Sequence, residues 1–285
     1  MKKLIVCGCS YSAPSHIPEY AGTSWSEVLV NKLGWNLENY ARQGCSNGGI
    51  RIQIDEAIKQ RPDFVIVTPT SYDRMEIPNN IVSKTLLQFG KDLTWHQLTE
   101  FLLNKNNNDR YEYDTDVGLD NINYRHNIST SRLISETIFS LVENRQHTYR
   151  REFLLPADVQ KALEMYVNFL YDKNWKKQTD EWIIRDGLVQ LKANNIPFLV
   201  NPGYGLWPTI DNMRQVLQNV LEPKYLLDDE TKNPHGAYVL FPPIGSTKTM
   251  PYGPYGADPG YHTVPEGQVY LANHYYEIIK NCWGL

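Results

Sequence analysis

The chain lacks the features that mark a membrane protein, a disulfide scaffold or a nucleic-acid binder. No stretch approaches the roughly 18 consecutive apolar residues that a bilayer-crossing helix needs. The apolar run at the amino terminus stops at Gly8, too soon for the core of a signal peptide. Cysteine is scarce: Cys7, Cys9, Cys45 and Cys282 have no zinc-finger spacing and no disulfide-framework density. Reduced thiols and cytoplasmic synthesis without a signal peptide are therefore expected. Lys and Arg number 28 against 32 Asp and Glu, a net charge of -4, which argues against partners bound by neutralising phosphates. Neither a nucleic acid nor a membrane is expected as partner. His96, His126, His147, His235 and His274 are scattered without metal-ligand spacing, so no metal and no cofactor are expected. There is no internal repeat and no low-complexity tract.

What is present is an alternation of strands and helices. Lys3 to Cys7 is an apolar, β-branched run that reads as a buried parallel strand. Trp25, Val28, Leu29 and Leu33 have helical spacing behind Thr23 or Ser24 as cap, and Gly34 closes that helix. A strand at Leu37–Tyr40, a helix with Ile50, Ile54, Ala57 and Ile58 on one face, and a strand at Phe64–Val67 follow. Phe198–Val200 is a fourth strand, Ala237 to Phe241 a short fifth, and Val264 to Lys280 a terminal helix. Such alternation is that of a doubly wound parallel sheet with helices on both faces. From Ile77 to Asp180 no strand is evident, and Ile128 to Asn144 reads as an amphipathic helix. The expectation is a single domain over residues 1–285 with 77–180 as a helical insertion. That insertion leaves from the end of the third strand and is expected to border the site.

Parallel strands deliver their following loops to one rim, where open α/β sheets bind ligands. Ser10 follows the first strand, Gly44 with Ser46 and Asn47 the second, and Thr68-Pro69-Thr70-Ser71 the third. Ser10 is a nucleophile if a base and oxyanion donors meet it there; the plainer reading is a turn with Ser10 or Ser12 as a helix cap. Asp258-Pro-Gly-Tyr-His262 supplies an acid shortly before a histidine, just ahead of the last helix. Arg74 is a candidate for a substrate's oxygens or a member of a salt-bridge cluster with Asp73 and Glu76. Tyr252, Tyr255 and Tyr261 lie on a Pro/Gly-rich segment and either stack on sugar rings or pin the loop. Cys9 and Cys45 flank the site and read as packing residues. Cys7 and Cys9, at the strand end, are expected on opposite faces.

These residues carry a family resemblance. The chain resembles SGNH (GDSL-like) hydrolases, which implies a three-layer α/β/α fold and ester hydrolysis. Gly8-Cys9-Ser10 is similar to the first block of that family, with cysteine in place of aspartate. Asn39-Tyr-Ala-Arg-Gln-Gly44-Cys-Ser-Asn47 is similar to the second, whose glycine donates a backbone N–H to the oxyanion. Asp258, His262 and Gly267 resemble the last block, with one extra residue between acid and histidine. The third block's asparagine is missing, and Thr70 or Ser71 stands in its place. The Thr/Ser then Asp-Arg and Glu pattern resembles proteins of this type encoded by tailed phages and some bacteria. The resemblance covers about residues 1–76 and 181–285.

The resemblance therefore implies a serine hydrolase with Ser10, His262 and Asp258 as catalytic residues, Ser10 and Gly44 N–H groups as oxyanion donors, and Thr70 or Ser71 assisting. Asn47, Arg74 and Tyr261 are the candidate substrate-binding residues. The expected substrate is a small-molecule or carbohydrate ester, with carbohydrate O-acetyl groups favoured. The rival reading is a non-catalytic module of the same fold, a binding or structural component such as a virion part. Homo-oligomer formation or virion assembly, with virion-associated location, is expected under either reading.

Overall fold

Alternation along one strand sets the architecture. In β1 (Lys3–Gly8), Leu4 and Val6 face one apolar cluster while Ile5 and Cys7 face another. The computed structural model describes residues 1–14, 21–41, 45–70, 72, 74–78, 133–137, 161–162, 165–166, 168–201 and 265–285, with backbone alone for residues 10, 75–78 and 133–137. Within these residues, β1 pairs in parallel with β2 (Asn36–Asn39) on one side and β3 (Phe64–Thr68) on the other. β3 in turn pairs in parallel with β6 (Phe198–Val200). The sheet order is β2-β1-β3-β6. All four strands lie within one residue of the expected positions, and every pairing is parallel, as the alternation with helices requires.

Helices cover both faces. The chain runs from β1 through α1 (Trp25–Leu33) to β2, then back past β1 through α2 (Asn47–Gln60) to β3. Right-handed crossovers in opposite directions put α1 and α2 on opposite faces. α3 (Lys173–Ala193) packs on α2 over Ile5, Cys7, Val65, Val67, Phe198 and Val200. α4 (Pro265–Trp283) packs on α1 over Leu4, Val6, Phe64, Ile66 and Leu199. The result is a three-layer α/β/α arrangement in which β3 and β6 are buried throughout and β1 nearly so, while the edge strand β2 is polar and only partly covered.

Local chemistry fixes the helix ends. Ser24 and Glu27 form a reciprocal capping box at the start of α1, and Gly34 ends it at φ 67°, a left-handed conformation that favours glycine. Ser46 caps α2 by accepting from the Gly49 N–H at 3.2 Å. Gly187 lets α3 approach α2 closely: a Cβ there would stand 2.9 Å from Arg51 Cδ.

Two expectations are corrected. Leu133–Thr137, placed in a helix by its apolar spacing, is strand β5, paired antiparallel with β4 (Arg74–Pro78). The described part of the insertion therefore contains a β-ribbon, and its expected start at Ile77 falls inside β4. Leu133, Ile134 and Ser135 suit either a helix or a strand by spacing alone; a cross-strand partner decides between them. Cys7 and Cys9 share one face, in the α2/α3 cluster, because a strand's side-chain period is two. The expected fifth strand, Ala237 to Phe241, and the Pro/Gly-rich segment with Tyr252, Tyr255 and Tyr261 lie outside the described residues.

Gly8 is required by close approach. A Cβ on it would stand 2.0 Å from Thr68 Oγ1 across the β1–β3 pair. Gly8→Ala should therefore cost about 1–3 kcal/mol through forced displacement of a packed neighbour. Urea unfolding reads this directly, and a midpoint equal to that of the wild type would contradict it.

Candidate active site

The strand order places a crevice between the carboxyl ends of β1 and β3. The chain leaves β1 toward β2 and returns on the other side to β3, so the loops diverge at that point, the usual ligand position in open α/β sheets. Ser10 opens a 3₁₀ turn, Ser10–Ser12, that starts two residues after β1 ends.

This turn is tied down on several sides. The Ser12 and Ala13 N–H groups donate to the Cys9 carbonyl at 3.0 and 3.2 Å. Trp25 Nε1 donates to the Tyr11 carbonyl at 3.2 Å, and Asn39 Nδ2 to the Ser12 carbonyl at 2.7 Å. The Ser12 hydroxyl meets the Thr68 hydroxyl at 2.7 Å across the crevice floor. Trp25 is itself fixed by edge contact with Tyr275, ring centroids 4.7 Å apart, and by Gln268 of α4 accepting from its N–H at 2.8 Å. A fully satisfied buried network of this kind holds one geometry, because any shift leaves a polar group unpaired.

The loops after β2 and β3 are joined by Asn47, the first residue of α2. Its Oδ1 accepts from the Thr70 N–H at 2.8 Å, and its Nδ2 donates to the Thr70 carbonyl at 2.9 Å. The same Nδ2 donates to Asp180 Oδ2 at 3.0 Å, and Asp180 is also paired with Lys176. Asn47 and Asp180 are fully buried. A carboxylate is tolerated there because it has an ion-pair partner and an amide donor, and lies beside the positive end of α2. Asn47 was expected to bind substrate; its amide hydrogens are instead spent inside the protein, and its task is to hold Thr70 against α2. Thr70 is 3% exposed, with its backbone fixed in that clamp.

Arg74, at the root of the β-ribbon, donates from Nη1 to the Cys45 carbonyl at 2.8 Å. The first residue of β4 therefore contacts the segment that leads from β2 into α2. Cys7, Cys9 and Cys45 are buried in the α2/α3 cluster. Burial, and then the neighbouring Cys45, push the Cys7 thiol far above its ordinary range, which keeps it protonated. Cys9 and Cys45 pack as expected. Ser10's backbone is described; Gly44, Ser71, Asp258, Tyr261 and His262 lie outside the described residues.

Sequence reasoning missed the residues that hold the rim together: Gln53, Asn39, Ser12 with Thr68, and the pair Lys176–Asp180. One signal was available. Gln53 is a polar residue inside the apolar stripe of Ile50, Ile54 and Ala57, and it is fully buried.

No family model matches the chain, and no curated protein matches it. Among solved structures the chain is similar to a protein of the lipolytic G-D-S-L family from Desulfitobacterium hafniense DCB-2. The TM-score is 0.45 at 11% identity, over 98% of this chain and 99% of that one. It is also similar to the acetyl xylan esterase Est2A from the rumen bacterium Butyrivibrio proteoclasticus. There the TM-score is 0.43 at 11% identity, over 99% of this chain and 64% of that one. At this identity, what either neighbour acts on remains a property of that neighbour.

The Asn47 clamp yields a stability prediction. Asn47→Ala leaves the Thr70 backbone and the Asp180 carboxylate short of buried partners, an expected loss of about 2–4 kcal/mol. Asn47→Asp adds a second negative charge beside Asp180 and should destabilise at neutral pH by at least as much. Denaturant midpoints measure both, and wild-type midpoints would show that Asn47 is not the clamp.

Proposed function

We propose that this chain is a serine hydrolase that cleaves an ester, with Ser10 as nucleophile. The observation that carries the reading is the position and fixation of the Ser10–Ser12 turn at the β1/β3 crevice. A nucleophile needs a fixed direction of attack, and a network-bound turn at the ligand rim of the sheet supplies one. In the proposed reaction His262 takes the Ser10 hydroxyl proton as Ser10 Oγ bonds the acyl carbon. The tetrahedral intermediate holds its negative oxygen against the Ser10 and Gly44 N–H groups. The bond to the alcohol oxygen then breaks, His262 returns the proton to that oxygen, and water repeats the sequence on the acyl-enzyme. Asp258 orients the imidazole.

Thr70 and Ser71 are the candidates for a third oxyanion donor. Arg74 and Tyr261 are the candidates for contact with the rest of the substrate. The substrate class we favour is an O-acetylated carbohydrate, since the tyrosines at 252, 255 and 261 offer rings for stacking on a sugar. A cytoplasmic origin and assembly into an oligomer or a virion belong to this proposal as its biological setting.

A fluorophosphonate probe and p-nitrophenyl acetate hydrolysis test it. Ser10→Ala and His262→Ala should abolish turnover to similar extents, since a nucleophile and its base act as a unit. Of Thr70→Val and Ser71→Ala, the one that removes the true donor should cost about 1–4 kcal/mol in transition-state stabilisation. A folded wild-type protein that takes no label and turns over no ester would replace this reading with the non-catalytic module.

A further inference from the structure

We propose that Gln53 is a positioning residue that sets the Ser10 turn and the loop carrying Gly44 in one register. The backbone around Gly8 explains why such a residue is needed. In a parallel pair the peptide groups of alternate residues face the same neighbour. Val6 faces β2, and its carbonyl accepts from the Tyr40 N–H at 2.8 Å. Gly8, two residues on, faces the same edge, but β2 has ended at Asn39. Its N–H and C=O would be buried with no strand beside them.

Gln53 of α2 takes the place of the missing strand. Its Oε1 accepts from the Gly8 N–H at 2.7 Å, and its Nε2 donates to the Gly8 carbonyl at 3.3 Å. A primary amide offers one acceptor and a donor side by side, as a peptide unit does, so it satisfies both groups at once. The same Nε2 also lies 3.3 Å from Cys45 Sγ as donor. One buried side chain therefore touches the residue two before Ser10 and the residue next to Gly44. If Ser10 and Gly44 supply the oxyanion donors, Gln53 holds the described neighbours of both, Gly8 and Cys45. Donor geometry matters at the scale of about 1 Å, where a misplacement costs on the order of 100-fold in rate.

The activity part of this inference rests on the proposed hydrolase reading, so its test has two arms. The first needs no activity: amide hydrogen exchange at Gly8 to Ser10, compared with Leu4 to Val6, in wild type and Gln53→Met. Methionine keeps the volume and removes both polar atoms. Exchange at residues 8–10 should rise sharply while residues 4–6 stay protected. Unchanged protection at 8–10 would overturn the proposal, whether or not the protein hydrolyses esters. An inert wild type with the rise still present would remove the hydrolase reading and leave the clamp standing.

The second arm uses p-nitrophenyl acetate. Gln53→Met should lower kcat by about 10–100-fold with little change in KM. Gln53→Glu separates positioning from bulk stability. As a neutral acid it keeps one acceptor and one donor; once ionised it loses the donor. The folded Gln53→Glu enzyme should therefore be near wild type at the acid end and lose kcat as pH rises, on a limb that wild type and Gln53→Met both lack. Circular dichroism at each pH confirms that the protein stays folded, and Gln53→Glu compared at low and high pH serves if Gln53→Met fails to fold. Equal kcat in wild type and Gln53→Met, with loosened exchange, would overturn the catalytic part of the proposal.

Discussion

The arrangement depends on what happens to the backbone at the end of β1. A parallel strand that stops inside a protein must find partners for its last peptide groups, because buried N–H and C=O groups left alone cost about as much as the fold can spare. Here β3 continues alongside on one edge and a glutamine side chain replaces the strand on the other. Gly8 carries no side chain because Thr68 occupies the space a Cβ would need. Those constraints stop the strand at a fixed point and deliver Ser10 there. Everything proposed for Ser10 presupposes that fixed delivery.

Around that point lie most of the buried polar groups among the described residues. Asn39, Asn47, Gln53 and Asp180 are all buried, and each carboxamide or carboxylate bonds to backbone or to another of these residues. Buried amides are costly where they serve only to fill a core, since apolar residues would pack as well. Their concentration on one rim makes sense if the rim must hold a geometry and not merely a shape. The opposite ends of the strands show no comparable concentration among the described residues. There the links are exposed or partly exposed, such as Lys3 with Asp63 and Glu38.

Much of the frame was legible in the sequence for simple reasons. Strands buried on both faces are apolar runs, as at Phe64–Val67, and the helices between them carry a period and a cap that stand out, as Ser24 and Gly34 do. The rim loops could be placed together because parallel strands share a polarity. The ribbon Arg74–Pro78 with Leu133–Thr137 was not legible: its partners are more than 50 residues apart in the chain, and pairing at that distance leaves no local trace. The clamps escaped for another reason. Asn47 looked like a ligand-binding residue because polar residues at a rim usually face outward, and only three-dimensional packing turns its amide inward onto Thr70. Gln53 was visible as an anomaly in an apolar stripe, but its partner Gly8 could not be inferred without the strand end.

The central claim is that Ser10 is the acylated residue, and the most direct test is to trap the acyl-enzyme. Acid quench of the protein during turnover of p-nitrophenyl acetate, followed by peptide mass mapping, should find one acetyl group on the peptide bearing Ser10, with fragmentation placing it at Ser10. Ser10→Ala should abolish it. Acetylation at Ser12 or at a cysteine, or no acetylated peptide from folded protein under turnover conditions, would contradict the account.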